Sequence, residues 1–263
     1  MSSVFTPLYA DTYDALYREK DYAGECTVIE RLFAEHADER VRSLLDLGCG
    51  TGNHAVAFGR RGYDVLGIER SDTMVKIARD KTADLENVEI RQGDIRSFEL
   101  DRFFDAALLL FAVLGYLSEN EDILQALAAV RRHLRPGGLL VFDIWYGPAV
   151  LHERPTSRFS VIPLDGGELL RAVHPRLDTR KQLCHVHYDL WQIREGAITA
   201  TDHEDHTMRF FFPREIELLV TASGFTLERV SAFPEIASEP DETTWNVVAV
   251  ARATETDDGT VAR

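Results

Sequence analysis

The chain predicts a doubly wound α/β fold: a mostly parallel sheet with helices on both faces and an antiparallel β cap inserted after the fifth strand. Three observations point to it. Leu44, Leu45, Asp46 and Leu47 form an apolar run that leaves through glycines at 48, 50 and 52, a buried strand passing into a turn. Strand-like and helix-like segments then alternate as far as Trp145, the pattern of parallel strands joined by crossover helices. Beyond Trp145 the period changes to two and stays there over 150–208.

The elements follow in order. Residues 9–35 read as two helical segments around Lys20-Asp21-Tyr22, and 41–47 as the first strand. Next come a helix at 53–61, a strand at 63–68, a helix at 72–81 with Asp72 as its N-cap, and strands at 87–91 and 104–110. A helix at 120–134 ends at Arg135-Pro136-Gly137-Gly138 and gives way to a strand at 139–145. Tyr146-Gly147-Pro148 reads as a turn. In the extended segment after it, 183, 185, 187, 189, 191 and 193 share one face, and 184, 186, 188, 190 and 192 the other. A helix at 213–222 starts on Pro213 and stops at Gly224; strands at 226–233 and 245–251 finish the sheet. The expected division is a body of 1–146 and 209–253, an inserted cap of 147–208, and a polar, disordered tail of 254–263.

The glycine turn carries the first chemical signal. Glycine permits positive φ and lets a ligand lie against bare backbone, and the N–H groups of the next helix face the same ligand. A carboxylate, Glu69, closes the second strand roughly 20 residues on, beside Arg70, where it suits the two hydroxyls of an adenosine ribose. These features fit NAD and S-adenosylmethionine equally, because both carry adenosine.

The whole set is more specific. Leu-Asp-Leu-Gly-Cys-Gly-Thr-Gly at 45–52, Gly67-Ile68-Glu69, Gln92-Gly93-Asp94-Ile95 and Leu134-Arg135-Pro136-Gly137-Gly138 resemble a class I S-adenosylmethionine-dependent methyltransferase over roughly 41–145. The resemblance implies a seven-stranded Rossmann-like sheet in the order 3-2-1-4-5-7-6 with the last strand antiparallel. It implies that Asp46 and the glycines Gly48, Gly50 and Gly52 bound the amino-acid part of the cofactor, that Glu69 takes the ribose, and that Asp94 and the Ile95 amide meet the adenine. Leu110 and Phe111, ending the fourth strand, are implied to lie near the methyl group. Tyr9, Tyr13, Tyr17 and Tyr22 recur at near-helical spacing. With Tyr13-Asp14, Lys20-Asp21-Tyr22 and Gly115-Tyr116, they resemble the N-methyltransferases that build dimethylamino sugars on nucleotide diphosphates. That resemblance implies that the N-terminal helix closes over the cofactor, with Tyr22 and Tyr13 in contact with it. In several of those enzymes a histidine stands where this chain has Tyr116, and it is a candidate base. A tyrosine, with an ordinary pKa near 10, is the poorer base.

Tyr116 and Tyr13 are therefore the candidate catalytic residues. Tyr9, Tyr116, Trp145, Tyr146, His185 and His187 are candidates for the acceptor side. A neutral amine acceptor needs alignment more than a base, whereas a hydroxyl needs a base or metal. The histidines available are His152, His174, His185, His187, His203 and His206, the last two within Asp202-His203-Glu204-Asp205-His206. These residues could bind the acceptor, act as a base or hold a metal weakly; extended polar strand faces are usually just solvated, and no metal is expected.

A formal net charge of −15 argues against a nucleic-acid substrate. Three scattered cysteines, no long apolar run and no leader-like start suggest a cytoplasmic protein with reduced thiols. A small-molecule acceptor and a monomer or homodimer are expected. The rival readings are an NAD-dependent oxidoreductase, a non-catalytic cofactor-binding module, an O-methyltransferase of a sugar or phenol, and a methyltransferase for proteins or nucleic acid.

Overall fold

A computed structural model describes residues 4–254. Seven strands form one sheet: β1 (Ser43–Leu47), β2 (Asp64–Glu69), β3 (Val88–Gln92), β4 (Phe104–Leu109), β5 (Leu134–Trp145), β10 (Phe225–Ala232) and β11 (Asn246–Ala253). From one edge the order is β3-β2-β1-β4-β5-β11-β10. The first five are parallel, and β11 runs antiparallel to both its neighbours. This is the 3-2-1-4-5-7-6 order expected.

Strand alternation explains the two-sided core. Leu45, Leu47, Leu66, Ile68, Ala107 and Leu109 point to one face, under α5 (Asn120–His133) and α7 (Pro213–Ala222). Their neighbours Leu44, Val65, Ala106 and Leu108 point to the other, under α2 (Tyr22–His36), α3 (Asn53–Arg60) and α4 (Asp72–Thr82). A sheet buried on both faces reads as continuous apolar runs, as these strands do.

The cap is a four-stranded antiparallel sheet of β6 (Arg158–Leu164), β7 (Gly167–Asp178), β8 (Leu183–Arg194) and β9 (Ala197–Arg209). Its entry and exit lie side by side. The Phe211 amide donates to the Trp145 carbonyl at 3.0 Å, and the Gly147 amide donates to the Phe211 carbonyl at 2.7 Å. The N-terminal helix α1 (Pro7–Leu16) packs onto the inner face of the cap, where Tyr9, Ile162, Leu169 and Leu190 make a small core of their own.

Four local expectations change. Ser71, not Asp72, caps α4: its hydroxyl accepts from the Met74 amide at 3.5 Å, and Asp72 is the first helical residue. Helix α5 stops at His133, and β5 starts at Leu134 instead of 139; Arg135–Gly138 form an irregularity inside it, between the pairs Phe104/Leu134 and Ala106/Leu139. Gly147 and Pro148 open a helix, α6 (Gly147–Glu153), in place of a plain turn, because proline in a first helical turn has no N–H to leave unpaired. Thr254, expected to begin the tail, donates backbone and hydroxyl bonds to the Gly224 carbonyl; the rest of that tail lies outside the described residues. No described helix is long and apolar enough to cross a membrane.

Candidate active site

The site opens at the carboxyl ends of β1, β2 and β4. Gly48, Gly50 and Gly52 have φ of 67°, 55° and 81°, which only glycine adopts without strain. A Cβ at Gly48 would meet the Val113 side chain at 2.7 Å, whereas one at Gly50 would find nothing nearer than the Met74 sulfur at 4.0 Å. The first glycine is therefore required by packing and the second faces the cleft. Glu69 is buried and bridges the loop: it accepts from the Gly50 amide at 3.1 Å and the Ser71 amide at 2.8 Å. Burial raises its carboxyl, and those amides oppose the rise.

Two buried polar atoms at this cleft are left without partners, Asp46 Oδ2 and the Tyr22 hydroxyl. Burial pushes Asp46 up to about 6, partly offset by nearby His54, and pushes Tyr22 up to about 12. Buried orphans are costly, so they mark a place built for a polar ligand. Tyr13, Tyr22, Leu110 and Phe111 line the same cleft with the three residues Gly48, Cys49 and Gly50. Asp94 is otherwise engaged: Arg96 grips it through its backbone amide, Nε and Nη2, and holds its carboxyl below the ordinary range. Ile95 packs against the core and Arg70 is exposed.

Helix α1 ties the two halves together. Asp14 accepts from Thr51 at 2.8 Å and Asn53 at 3.0 Å and pairs with Lys81, all on the glycine-loop side. Tyr13 and Tyr17 meet with tilted rings, centroids 4.8 Å apart, Tyr17 meets Phe111 edge-on at 4.9 Å, and the Lys20 ammonium lies 4.5 Å from the Phe111 ring. Aromatic faces favour cations, and one is already placed here.

The turn after β4 is held from behind. Phe111 and Ala112 have φ of 71° and 56°, costly for side chains of this kind. Asp143 of β5, buried at 3 % exposure, accepts from both amides, at 2.5 and 3.1 Å. Burial pushes its carboxyl up to about 6, against those bonds. Sequence reasoning missed Asp143, since an acid inside Leu139–Trp145 carries no motif; its only signal was a charge in an otherwise apolar strand.

The cap sorts its histidines by parity. Val186 pairs with His206 and Tyr188 with Glu204, and this face looks inward. Tyr116 Oη lies 2.9 Å from His206 Nδ1, and His206 Nε2 lies 2.6 Å from Glu204 Oε2. His185 and His187, expected on the acceptor side, occupy the opposite face, where they bond Thr207 at 3.0 Å and Asp205 at 2.8 Å. One residue of register separates the two faces, and it removes both histidines from the site. Tyr9 (2 % exposed) is buried in the seam between α1 and the cap with its hydroxyl on Tyr17, and Tyr146 is buried in the main core. Trp145 packs on Val173, Cys184 and Val186 at the base of the cap and against Trp245. Among the described residues no group of three or more His, Cys, Asp or Glu is arranged to hold a metal ion.

A profile of the methyltransferase domain matches residues 44–138. The dTDP-3-amino-3,4,6-trideoxy-alpha-D-glucopyranose N,N-dimethyltransferase of Streptomyces venezuelae is 33% identical over 228 residues, 86% of this chain and 93% of its own. The chain belongs to the S-adenosylmethionine-dependent methyltransferases. Its methyl donor is S-adenosylmethionine, and the unpartnered Asp46 and Tyr22 atoms, the open face of Gly50 and the carboxylate of Glu69 fit that group. The crystal structure of Streptomyces venezuelae DesVI aligns with this methyltransferase at a TM-score of 0.77 and 28% identity, covering 94% of this chain and 98% of that one. An S-adenosylmethionine-bound amino pentose methyltransferase from Micromonospora echinaspora aligns at 0.73 and 25% identity, covering 97% and 100%. Both alignments extend through the cap.

Proposed function

We propose that this methyltransferase moves a methyl group to the amino group of a nucleotide-linked amino sugar. The observation that carries the reading is the full-length likeness, cap included, to an enzyme named for N,N-dimethylation of a dTDP-amino sugar. In this reading residues 1–146 and 209–253 form the cofactor body, and 147–208 form the cap that shapes the acceptor side. The net charge of −15 speaks for a small molecule over a nucleic acid.

S-adenosylmethionine supplies a methyl group on a cationic sulfur that leaves readily. The chain supplies binding and alignment. Asp46 and Tyr22 hold the amino-acid end, Glu69 holds the ribose, and Tyr13, Tyr17 and Phe111 line the reacting end. Phe111 keeps its place because Asp143 fixes the turn beneath it. Tyr116 faces the acceptor from that same turn, which also supports an O-methyl reading, since its hydroxyl leads to a histidine.

The test is incubation with methyl-labelled S-adenosylmethionine and a panel of nucleotide-linked amino sugars, neutral sugars, small amines and phenols, followed by mass spectrometry. Label on an amino sugar is the expected result. Label confined to hydroxyl acceptors would replace the proposal with the O-methyl reading, and binding of the cofactor without transfer to any acceptor would favour a non-catalytic module.

A pH dependence follows from Asp46. Its carboxyl titrates at about 6 in the free protein, and a ligand ammonium needs it charged. Binding below pH 6 must then release a proton, so affinity for S-adenosylmethionine should fall about tenfold per pH unit as pH drops below 6. Asp46→Asn should bind more weakly at pH 7.5 and show no such slope by calorimetry. The sign for stability is opposite: a raised native pKa means the native state holds more protons between about 4 and 6, so Asp46 and Asp143 stabilise the free protein as pH falls through that window.

A further inference from the structure

Tyr116, His206 and Glu204 stand in one hydrogen-bonded line from the turn after β4 into the cap. They come from distant parts of the chain, Tyr116 from the 3-10 turn Val113–Tyr116 after β4 and the other two from β9. The line is dry: His206 and Glu204 are each 2 % exposed. The rings of Phe5, Tyr9 and Tyr188 surround the imidazole at centroid distances of 5.4, 5.3 and 5.0 Å.

The bonding fixes the direction of each proton. Glu204 also accepts from the Phe5 amide at 2.9 Å, from the Thr6 hydroxyl at 2.8 Å and from the Thr6 amide. Burial would raise its carboxyl, but the bonds from His206 and from Phe5 and Thr6 hold it below the ordinary range, so it stays a carboxylate and only accepts. The proton between Glu204 and His206 therefore sits on Nε2, and Nδ1 keeps a lone pair for the Tyr116 hydroxyl. Tyr116 donates to His206 and its oxygen keeps both lone pairs. On its own the phenol is a weak base, and burial pushes its hydroxyl further up. An amine arriving as ammonium has no lone pair to attack with, so something must take its proton.

We propose that Tyr116, His206 and Glu204 form a proton relay that deprotonates the acceptor, with Tyr116 in contact with it and His206 and Glu204 as positioning residues. The proposal rests on methyl transfer to an amine as read above. The acceptor proton passes to the Tyr116 oxygen while the Tyr116 hydroxyl proton passes to His206 Nδ1. Glu204 balances the imidazolium that results. The freed nitrogen lone pair forms the N–C bond as the C–S bond breaks, and that pair leaves with sulfur. The imidazolium returns its proton to solvent as product departs. Because Glu204 is also held by Phe5 and Thr6, the relay is complete only when the N-terminal segment is docked on the cap.

Tyr116→Phe, His206→Asn and the double variant test this by steady-state kinetics and by nitrogen NMR of labelled histidine. Each single change is expected to lower kcat about a hundredfold, with KM for both substrates within about twofold and with cofactor affinity by calorimetry unchanged. The double variant is expected to be no slower than either single one, because the members act as a unit. In the parent, His206 should show a protonated Nε2 and an acceptor Nδ1, and the Nδ1 signal should move in Tyr116→Phe. A protonated Nδ1, unchanged kcat, or losses that multiply in the double variant would each overturn the relay. If the parent transfers no label to any amine, the acceptor reading fails and the relay falls with it, whereas label transfer with unchanged kcat in Tyr116→Phe overturns the relay alone.

Discussion

Gly50→Val should raise the dissociation constant for S-adenosylmethionine more than a thousandfold while leaving the protein folded. The protein itself has room for the new Cβ, since its nearest neighbour is the Met74 sulfur at 4.0 Å. The two methyl groups beyond it enter the cleft that Gly50 lines with Tyr13, Leu110 and Phe111. A β-branched residue at φ 55° adds a strain of about 1–3 kcal/mol. Gly62→Val controls for that strain, because Gly62 has φ 86°, open space around it and no part in the cleft. Calorimetry and thermal unfolding of the two variants separate the terms: similar destabilisation is expected in both, with loss of binding in Gly50→Val alone. Retained affinity in Gly50→Val would remove the glycine turn from the cofactor site.

Asp143→Ala should be the most damaging change away from the cofactor. It leaves the Phe111 and Ala112 amides without acceptors in a buried place, at about 1–3 kcal/mol each. It also frees two residues from a left-handed conformation that they would not hold unaided. A loss of about 3 kcal/mol corresponds to a fall of roughly 6–12 °C in Tm for a chain of this size. The same release moves Phe111 and Tyr116 together, so kcat should fall by about 10²-fold even at temperatures where the variant is fully folded. A variant with the parent's kcat and lower Tm would limit Asp143 to a structural role.

How much of this was readable in advance follows the distance over which each feature is built. Asp46, the glycines and Glu69 lie in one strand-turn-helix-strand unit, so spacing alone located the cleft. The cap was equally legible as alternation, and the structure has the two faces as read. Which face looks inward was not, because both mix polar and apolar residues: Leu183, His185 and His187 on one, Cys184, Val186 and Tyr188 on the other. The inward choice is made by packing against α1 and Tyr116, contacts across which no short pattern runs. His185 and His187 went astray for that reason, and His206 stood out from five other histidines only once its partner, 90 positions earlier, was in place. Asp143 was hidden by its strand, where an acid among Val141, Phe142 and Ile144 looks like an exception to the core and is instead the clamp for a turn on the neighbouring strand.

The pairing of Trp145 and Gly147 with Phe211 bears on how the cap can be exchanged between members of the family. Because closure entropy grows only slowly with length, a segment whose two ends lie a hydrogen bond apart can be replaced by one of another length without disturbing the register of β5 or β11. Grafting the cap alone would still fail. Its inner face is completed by Phe5, Thr6, Tyr9 and Arg18, through Glu204, Asp202 and the Pro163 carbonyl, so a working chimera must import the first eighteen residues with the cap. On the cap reading proposed above, the acceptor side is thus a two-piece cassette, discontinuous in sequence and contiguous in space.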